Sequence, residues 1–111
     1  MRKRDKFTAN NMTPFEITHP GEVMKEELEY RGISQKHFAE ITDVSYTMLN
    51  DILNGKRPIS TDFALTLEAA TGISAEILIN MQTRYNLQVA RSKKENIKRW
   101  ENLRKNCAYL L

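Results

Sequence analysis

A single cysteine, Cys107, leaves the chain without an internal disulfide, which fits a reducing cytosol. Long apolar runs are missing as well. Nothing approaches the ~18 consecutive apolar residues of a membrane-crossing helix. The opening MRKRDKF leads into TANNMTPF rather than into an apolar stretch, so no secretory signal is expected. No segment sustains the apolar–polar alternation of a strand, which argues against a sheet-based architecture. Catalytic patterns are scarce. His19 and His37 are the only histidines, and neither has a metal-spaced partner; each reads as a surface or capping residue. There is no Gly-rich phosphate loop, no Gly-x-Ser-x-Gly elbow and no Cys–His pair supported by spacing. An enzyme, a metal and a cofactor are therefore not expected.

What is present is a chain of 111 residues, enough for one domain and a tail. Its helical periodicities predict an all-α fold of five helices with an additional C-terminal helical tail. The net charge of +3 is unevenly spread. Residues 1–33 balance to zero, residues 34–83 carry −3, and residues 84–111 carry +6. Such a protein is compatible with nucleic acid, but its basic charge sits at the two ends rather than in the middle.

The middle is where the pattern is most informative. In Ser34 to Gly55, SQKHFAEITDVSYTMLNDILNG, two short helices are each opened by a serine cap and separated by Thr42-Asp43-Val44. Phe38, Ala39 and Ile41 give the first an apolar side; Leu49, Ile52 and Leu53 give the second another. Gly55 stops the second helix in left-handed geometry, and Asp43 must tolerate the same geometry in the turn. Helix, tight turn, helix is the layout of a helix-turn-helix DNA reader.

The flanks supply the remaining helices. His19-Pro20-Gly21-Glu22 opens the first, with Val23, Met24 and Leu28 inward and Tyr30 near the edge. A fourth spans about 61–71 after a cap at Ser60 or Thr61, with Ala64, Leu65, Leu67, Ala69 and Ala70 as core. A fifth begins after Ser74, with Ile77, Leu78, Met81, Tyr85 and Leu87 on its apolar face. Residues 1–18 read as a flexible basic arm, 19–87 as the DNA-binding domain and 88–111 as a basic amphipathic helix. In that last helix Ile97, Trp100, Leu103, Cys107 and Leu110 share a face among lysines and arginines. This face could dock on its own domain, on a second copy or another protein, or on a membrane surface.

If the second helix of the pair enters the major groove, Ser45, Tyr46, Thr47, Asn50 and Asp51 lead or face outward. Asn can pair with adenine, Thr can touch a thymine methyl, Tyr can reach phosphate and Asp can accept from cytosine. Gln35, at the start of the first helix of the pair, can hold a phosphate. Lys56 and Arg57 follow the reading helix and can grip the neighbouring backbone, or simply be loop charge.

SQKHFAEITDVSYTMLNDILNGKRPIS resembles the phage-repressor-like (Xre/Cro type) helix-turn-helix. With HPGEVMKEELEYRGIS before it and ALTLEAATGISAEILINMQTRYNL after it, residues 19–87 are similar to HigA-type antitoxins of bacterial toxin–antitoxin operons. That resemblance implies a cytoplasmic homodimer that binds an inverted-repeat operator and represses its own operon. It also implies binding to a RelE/HigB-like mRNA endonuclease toxin, with Gln35 as backbone clamp and Ser45, Tyr46, Thr47, Asn50 and Asp51 at reading positions. Asp43 departs from the glycine usual at its position, and Ile77-Leu78 from the frequent Phe-Trp. Two other readings stay open: a free-standing regulator without a toxin, and an interaction protein whose helix-turn-helix no longer reads DNA.

Overall fold

The computed structural model describes residues 18–110. The arm expected over 1–18 lies, apart from Thr18, outside the described residues. Six α-helices follow in order: α1 (Pro20–Arg31), α2 (Gln35–Thr42), α3 (Tyr46–Leu53), α4 (Thr61–Thr71), α5 (Ala75–Ser92) and α6 (Lys94–Cys107). A short 3₁₀ turn, Ala108–Leu110, closes the described chain, and no strand occurs among the described residues. The all-α architecture with a helical tail is thus as the periodicities predict.

Local chemistry sets most helix starts. Ser34, Ser45, Ser60 and Ser74 each accept a hydrogen bond from the backbone N–H three residues on, at 3.1, 3.0, 3.1 and 3.3 Å. Each satisfies one of the orphan donors of a first helical turn. His19 does the same for α1: its Nδ1 accepts from Gly21 N at 2.8 Å. It is a cap, as expected, but not a surface one, being buried beneath the edge of the Tyr85 ring at 4.8 Å between centroids.

The core is a single cluster from α1 to α5. Met24, Leu28, Phe38, Leu49, Ile52, Leu53, Phe63, Leu67 and Leu78 are its large members. Several apolar residues expected inside are instead exposed: Ile41, Leu65, Ile77 and Leu87 on the aliphatic side, with Ala69 and Ala70 beside them. The reason is phase. In α4 the buried residues are Phe63, Ala64 and Leu67, which places Leu65 and Ala69 round the far side at 100° per residue. In α5 the inward stripe is Ala75, Leu78 and Gln82, so a polar residue occupies a core position and Ile77 falls outside. Gln82 is accommodated because its Oε1 accepts from Ile59 N at 2.9 Å and its Nε2 donates to Asn86 Oδ1 at 3.0 Å. This side chain ties the 54–60 loop to α5.

One contact fixes how α1 meets α3. A Cβ on Gly21 would lie 1.9 Å from the carbonyl oxygen of Ile52. Only a residue without a side chain lets the backbone of α1 approach the end of α3 so closely.

The tail departs from the body. α5 runs on to Ser92, Lys93 is extended, and α6 begins at Lys94. Asn96 Nδ2 donates to Ala90 O at 3.0 Å across the bend. α6 has substantial contact with α5 and the 3₁₀ turn, and none of its residues is buried. Its apolar face is therefore at most half covered by its own domain, Trp100 and Cys107 being half-buried and Ile97 and Leu103 exposed. Among the described residues, no helix is long and apolar enough to cross a membrane.

Candidate nucleic-acid interface

α2 and α3 are eight residues each and lie against one another through the buried Phe38, Ala39, Leu49, Ile52 and Leu53. The turn between them needs one left-handed residue, and Asp43 supplies it at φ 58°, ψ 43°. Aspartate bears this conformation better than most residues. Val44 N then donates to Ala39 O at 3.0 Å, closing the end of α2 and turning the chain into the Ser45 cap.

The turn sets which residues face out. Ser45, Tyr46 and Thr47 are exposed, Tyr46 at 52%. Gln35, Asn50 and Asp51 are half-buried, and Lys56 and Arg57 are exposed beyond the end of α3. The structure brings Gln35 and Asn50 together: Asn50 Nδ2 donates to Gln35 Oε1 at 3.0 Å. Asn54 Nδ2 in turn donates to Asn50 Oδ1 at 3.0 Å, and Lys25 Nζ donates to Asn54 Oδ1 at 3.1 Å. A line of side chains thus runs Gln35, Asn50, Asn54, Lys25, from the start of α2 along the outer face of α3 to α1. With its carbonyl oxygen occupied by Asn50, Gln35 retains its amide NH₂ as a donor near the start of α2. Such a donor, together with the N-terminal end of a helix, suits a phosphate.

Asp51 and Arg57 form a second, looser pairing. Arg57 Nη2 lies 4.0 Å from Asp51 Oδ2, and Lys56 N donates to Asp51 O at 2.8 Å. An exposed pair at this distance adds little stability, but it places a cation beside the one acidic residue of the outward set. The backbone of Lys56 is thereby fixed to the end of α3, while the side chains of Lys56 and Arg57 stay exposed. Ser45 and Thr47 stand clear of this network.

Two members of the surface were not foreseen in the sequence. Lys25 belongs to a different helix and reaches α3 through Asn54, a contact between residues far apart in the chain. Asn54 itself read as part of a turn. The opposite end of the surface is also bounded. A cleft of about 430 Å³ between α1 and the Asn54–Gly55 turn is lined by Glu22, Glu26 and Glu29 together with Lys25. Three carboxylates against the one ammonium of Lys25 disfavour phosphate there, so the anion-compatible surface is the side of Gln35 and the start of α3.

Fold and surface together define a helix-turn-helix protein of the phage-repressor type. The helix-turn-helix family model matches residues 24–78. Virulence-associated protein I of Dichelobacter nodosus is 39% identical over 80 residues, covering 71% of this chain and 74% of that protein. A solved addiction module antidote protein of the HigA family from Coxiella burnetii is 33% identical, with a TM-score of 0.68 over 82% of this chain and 95% of that one. The Pseudomonas aeruginosa antitoxin HigA, solved with the higBA promoter, is 34% identical, with a TM-score of 0.70 over 78% and 94%. The chain belongs to the HigA-type antitoxin family of helix-turn-helix proteins.

Proposed function

We propose that this chain is the antitoxin of a type II toxin–antitoxin module. It binds operator DNA as a symmetric dimer in the cytoplasm, represses its own operon and neutralises a RelE/HigB-like mRNA endonuclease toxin. The observation that carries the DNA reading is the Gln35–Asn50 hydrogen bond at 3.0 Å. It locks a phosphate-suited donor on α2 to a base-suited amide on α3, which is the division of labour a DNA reader needs. The likeness to an antitoxin solved with its promoter supports the same reading.

In this proposal Gln35 clamps the backbone at the start of α2. Ser45, Tyr46, Thr47, Asn50 and Asp51 face the groove, and Lys56 and Arg57 hold the strand beyond α3. DNA binding is assigned to residues 19–87, with residues 1–18 as a basic arm and 88–111 as the basic tail. Since the segment 34–83 carries −3, one copy has little electrostatic grip of its own. Two copies double the phosphate contacts and place two reading helices about 34–36 Å apart, so the operator is an inverted repeat with half-sites one turn or a multiple apart.

A mobility-shift titration on the gene's own promoter tests this. Thr47→Ala with Asn50→Ala should weaken operator binding by about 5- to 160-fold while changing binding to random DNA far less, a bidentate base pair being worth about 1–3 kcal/mol. An equal loss on both DNAs would show that these residues do not read bases. Co-purification from a fragment carrying the operon and its neighbouring gene tests the toxin: recovery of the chain without a small basic partner removes that part of the reading.

A further inference from the structure

The apolar stripe of α6 and of the turn after it is only partly covered. Ile97, Leu103 and Leu110 are 40%, 51% and 66% exposed, and Trp100 and Cys107 between them are half-buried. A second uncovered apolar feature lies on the body. Between α4 and α5 runs a groove of about 470 Å³, with Leu65, Ala75 and Ile79 as its apolar lining and Thr61, Glu76 and Asn80 around them. No residue of α6 lines it, and its Leu65 is 52% exposed. We propose that the α6 helix of one copy seats its apolar stripe in the α4–α5 groove of a second copy of this chain.

Charge selects this pairing over the alternatives. From Pro58 to Thr83 there is no lysine or arginine, while Asp62, Glu68 and Glu76 give this stretch a charge of −3. Within α6, Lys94, Lys98, Arg99, Arg104 and Lys105 against Glu95 and Glu101 give +3. An apolar stripe flanked by cations thus meets an apolar lining flanked by anions. Packing two α6 helices on each other would instead set +3 against +3. The home groove is remote from its own tail. The twelve residues after Asn80, ending at Ser92, carry α5 about 18 Å past the groove at 1.5 Å per residue, and the Asn96–Ala90 bond braces the bend beyond. Exchange between two copies is self-complementary: each gives one tail and receives one, as a two-fold dimer requires. This inference rests on the dimer of the proposed function and supplies its contact surface.

The chain's lone cysteine and lone tryptophan both lie in the stripe and serve as reporters. Full-length native protein, whose thiol is Cys107, is mixed with a Leu65→Cys, Cys107→Ser variant, oxidised, and its disulfide-linked peptides are identified by mass spectrometry. The expected product is a covalent heterodimer joining position 107 of the native chain to the thiol introduced at position 65. Raising the native protein's concentration should shift Trp100 emission to shorter wavelength as the ring enters the groove. Trp100→Asp, and separately Leu103→Asp, should raise the dimer dissociation constant by at least tenfold in sedimentation equilibrium with helical content unchanged.

A native dimer that gives no 65–107 link and is indifferent to both substitutions overturns the tail-in-groove contact while leaving dimeric DNA binding in place. A link formed within one chain in the single Leu65→Cys variant, with no interchain product, overturns it in favour of the chain's own groove. A native protein that stays monomeric, with or without operator, overturns both this contact and the dimer beneath it.

Discussion

Replacing Gly21 with Ala tests the packing that holds the reading helix in place. On helical propensity alone the change should help, by up to about 1 kcal/mol. The structure argues the reverse. The new Cβ would stand 1.9 Å from Ile52 O, 2.9 Å from Ile52 C and 3.0 Å from His19 Nδ1. The nearest obstacle is backbone, which cannot rotate away like a side chain. Either α1 or the end of α3 must move by more than about 1 Å, and overpacking of this kind costs about 1–3 kcal/mol or more. Taking the upper end and subtracting the propensity gain leaves a net loss of about 2 kcal/mol, or a fall in Tm of about 8–16 °C for a domain of this size. Thermal unfolding followed by circular dichroism measures it. Gly32→Ala is the control: its φ is 71° but nothing lies within 4 Å, so it carries only the left-handed penalty of about 1–2 kcal/mol. Because the clash falls on the end of α3, operator affinity should also fall for Gly21→Ala and hold for Gly32→Ala. If Gly21→Ala melts at or above the native temperature, the close approach does not constrain the fold and the reasoning fails.

Other expectations follow from the same contacts. Ser45→Ala removes the cap of α3 and should cost about 1 kcal/mol in denaturant unfolding, with Ser45→Asp restoring most of it. Gln82→Leu strands the buried N–H of Ile59 and should cost about 1–3 kcal/mol despite its greater apolarity, whereas a neutral or stabilising result would mean that the loop does not depend on it. His19 should make stability pH-dependent. Burial pushes its pKa below the ordinary 6.5, with Glu22 opposing in part, so on acidification the unfolded chain takes up the proton first. Its contribution is whole above about pH 6.5 and is lost as pH falls from there through the lowered folded value. Melts recorded over that range should show a drop in Tm that is absent from His19→Ala.

The parts of the fold legible in the sequence were those governed by nearest-neighbour chemistry. A serine followed by a helical pattern caps it whatever lies elsewhere, which is why Ser34, Ser45 and Ser74 were identifiable and Ser60 was one of two choices. The left-handed turn at Asp43 was legible for the same reason. The buried faces were less so. Ile41, Leu65, Ile77 and Leu87 looked like core because they are aliphatic, yet a helix buries what its neighbours cover. Gln82 shows the converse: a polar side chain takes a core position because a loop N–H from Ile59 awaits it. Of the residues proposed to face DNA, the outward phase of Tyr46, Thr47, Asn50 and Asp51 follows from the inward Leu49, Ile52 and Leu53; Tyr46 and Thr47 are exposed, whereas Asn50 and Asp51 are half-buried. The linkage of Asn50 to Gln35 and Asn54, and the arrival of Lys25 from α1, depend on distances between elements that no local pattern encodes.

That linkage bears on any attempt to redirect the protein to a new operator. Asn50 is gripped at both ends of its amide, by Gln35 through its nitrogen and by Asn54 through its oxygen. A different residue at position 50 would inherit partners shaped for an amide and leave Gln35 and Asn54 without their mates. On the proposed reading, single-site libraries at position 50 should yield weakened binders rather than re-targeted ones. New preferences should emerge when positions 35, 50 and 54 are randomised together, so that the unit of inheritance for specificity is the trio and not the residue.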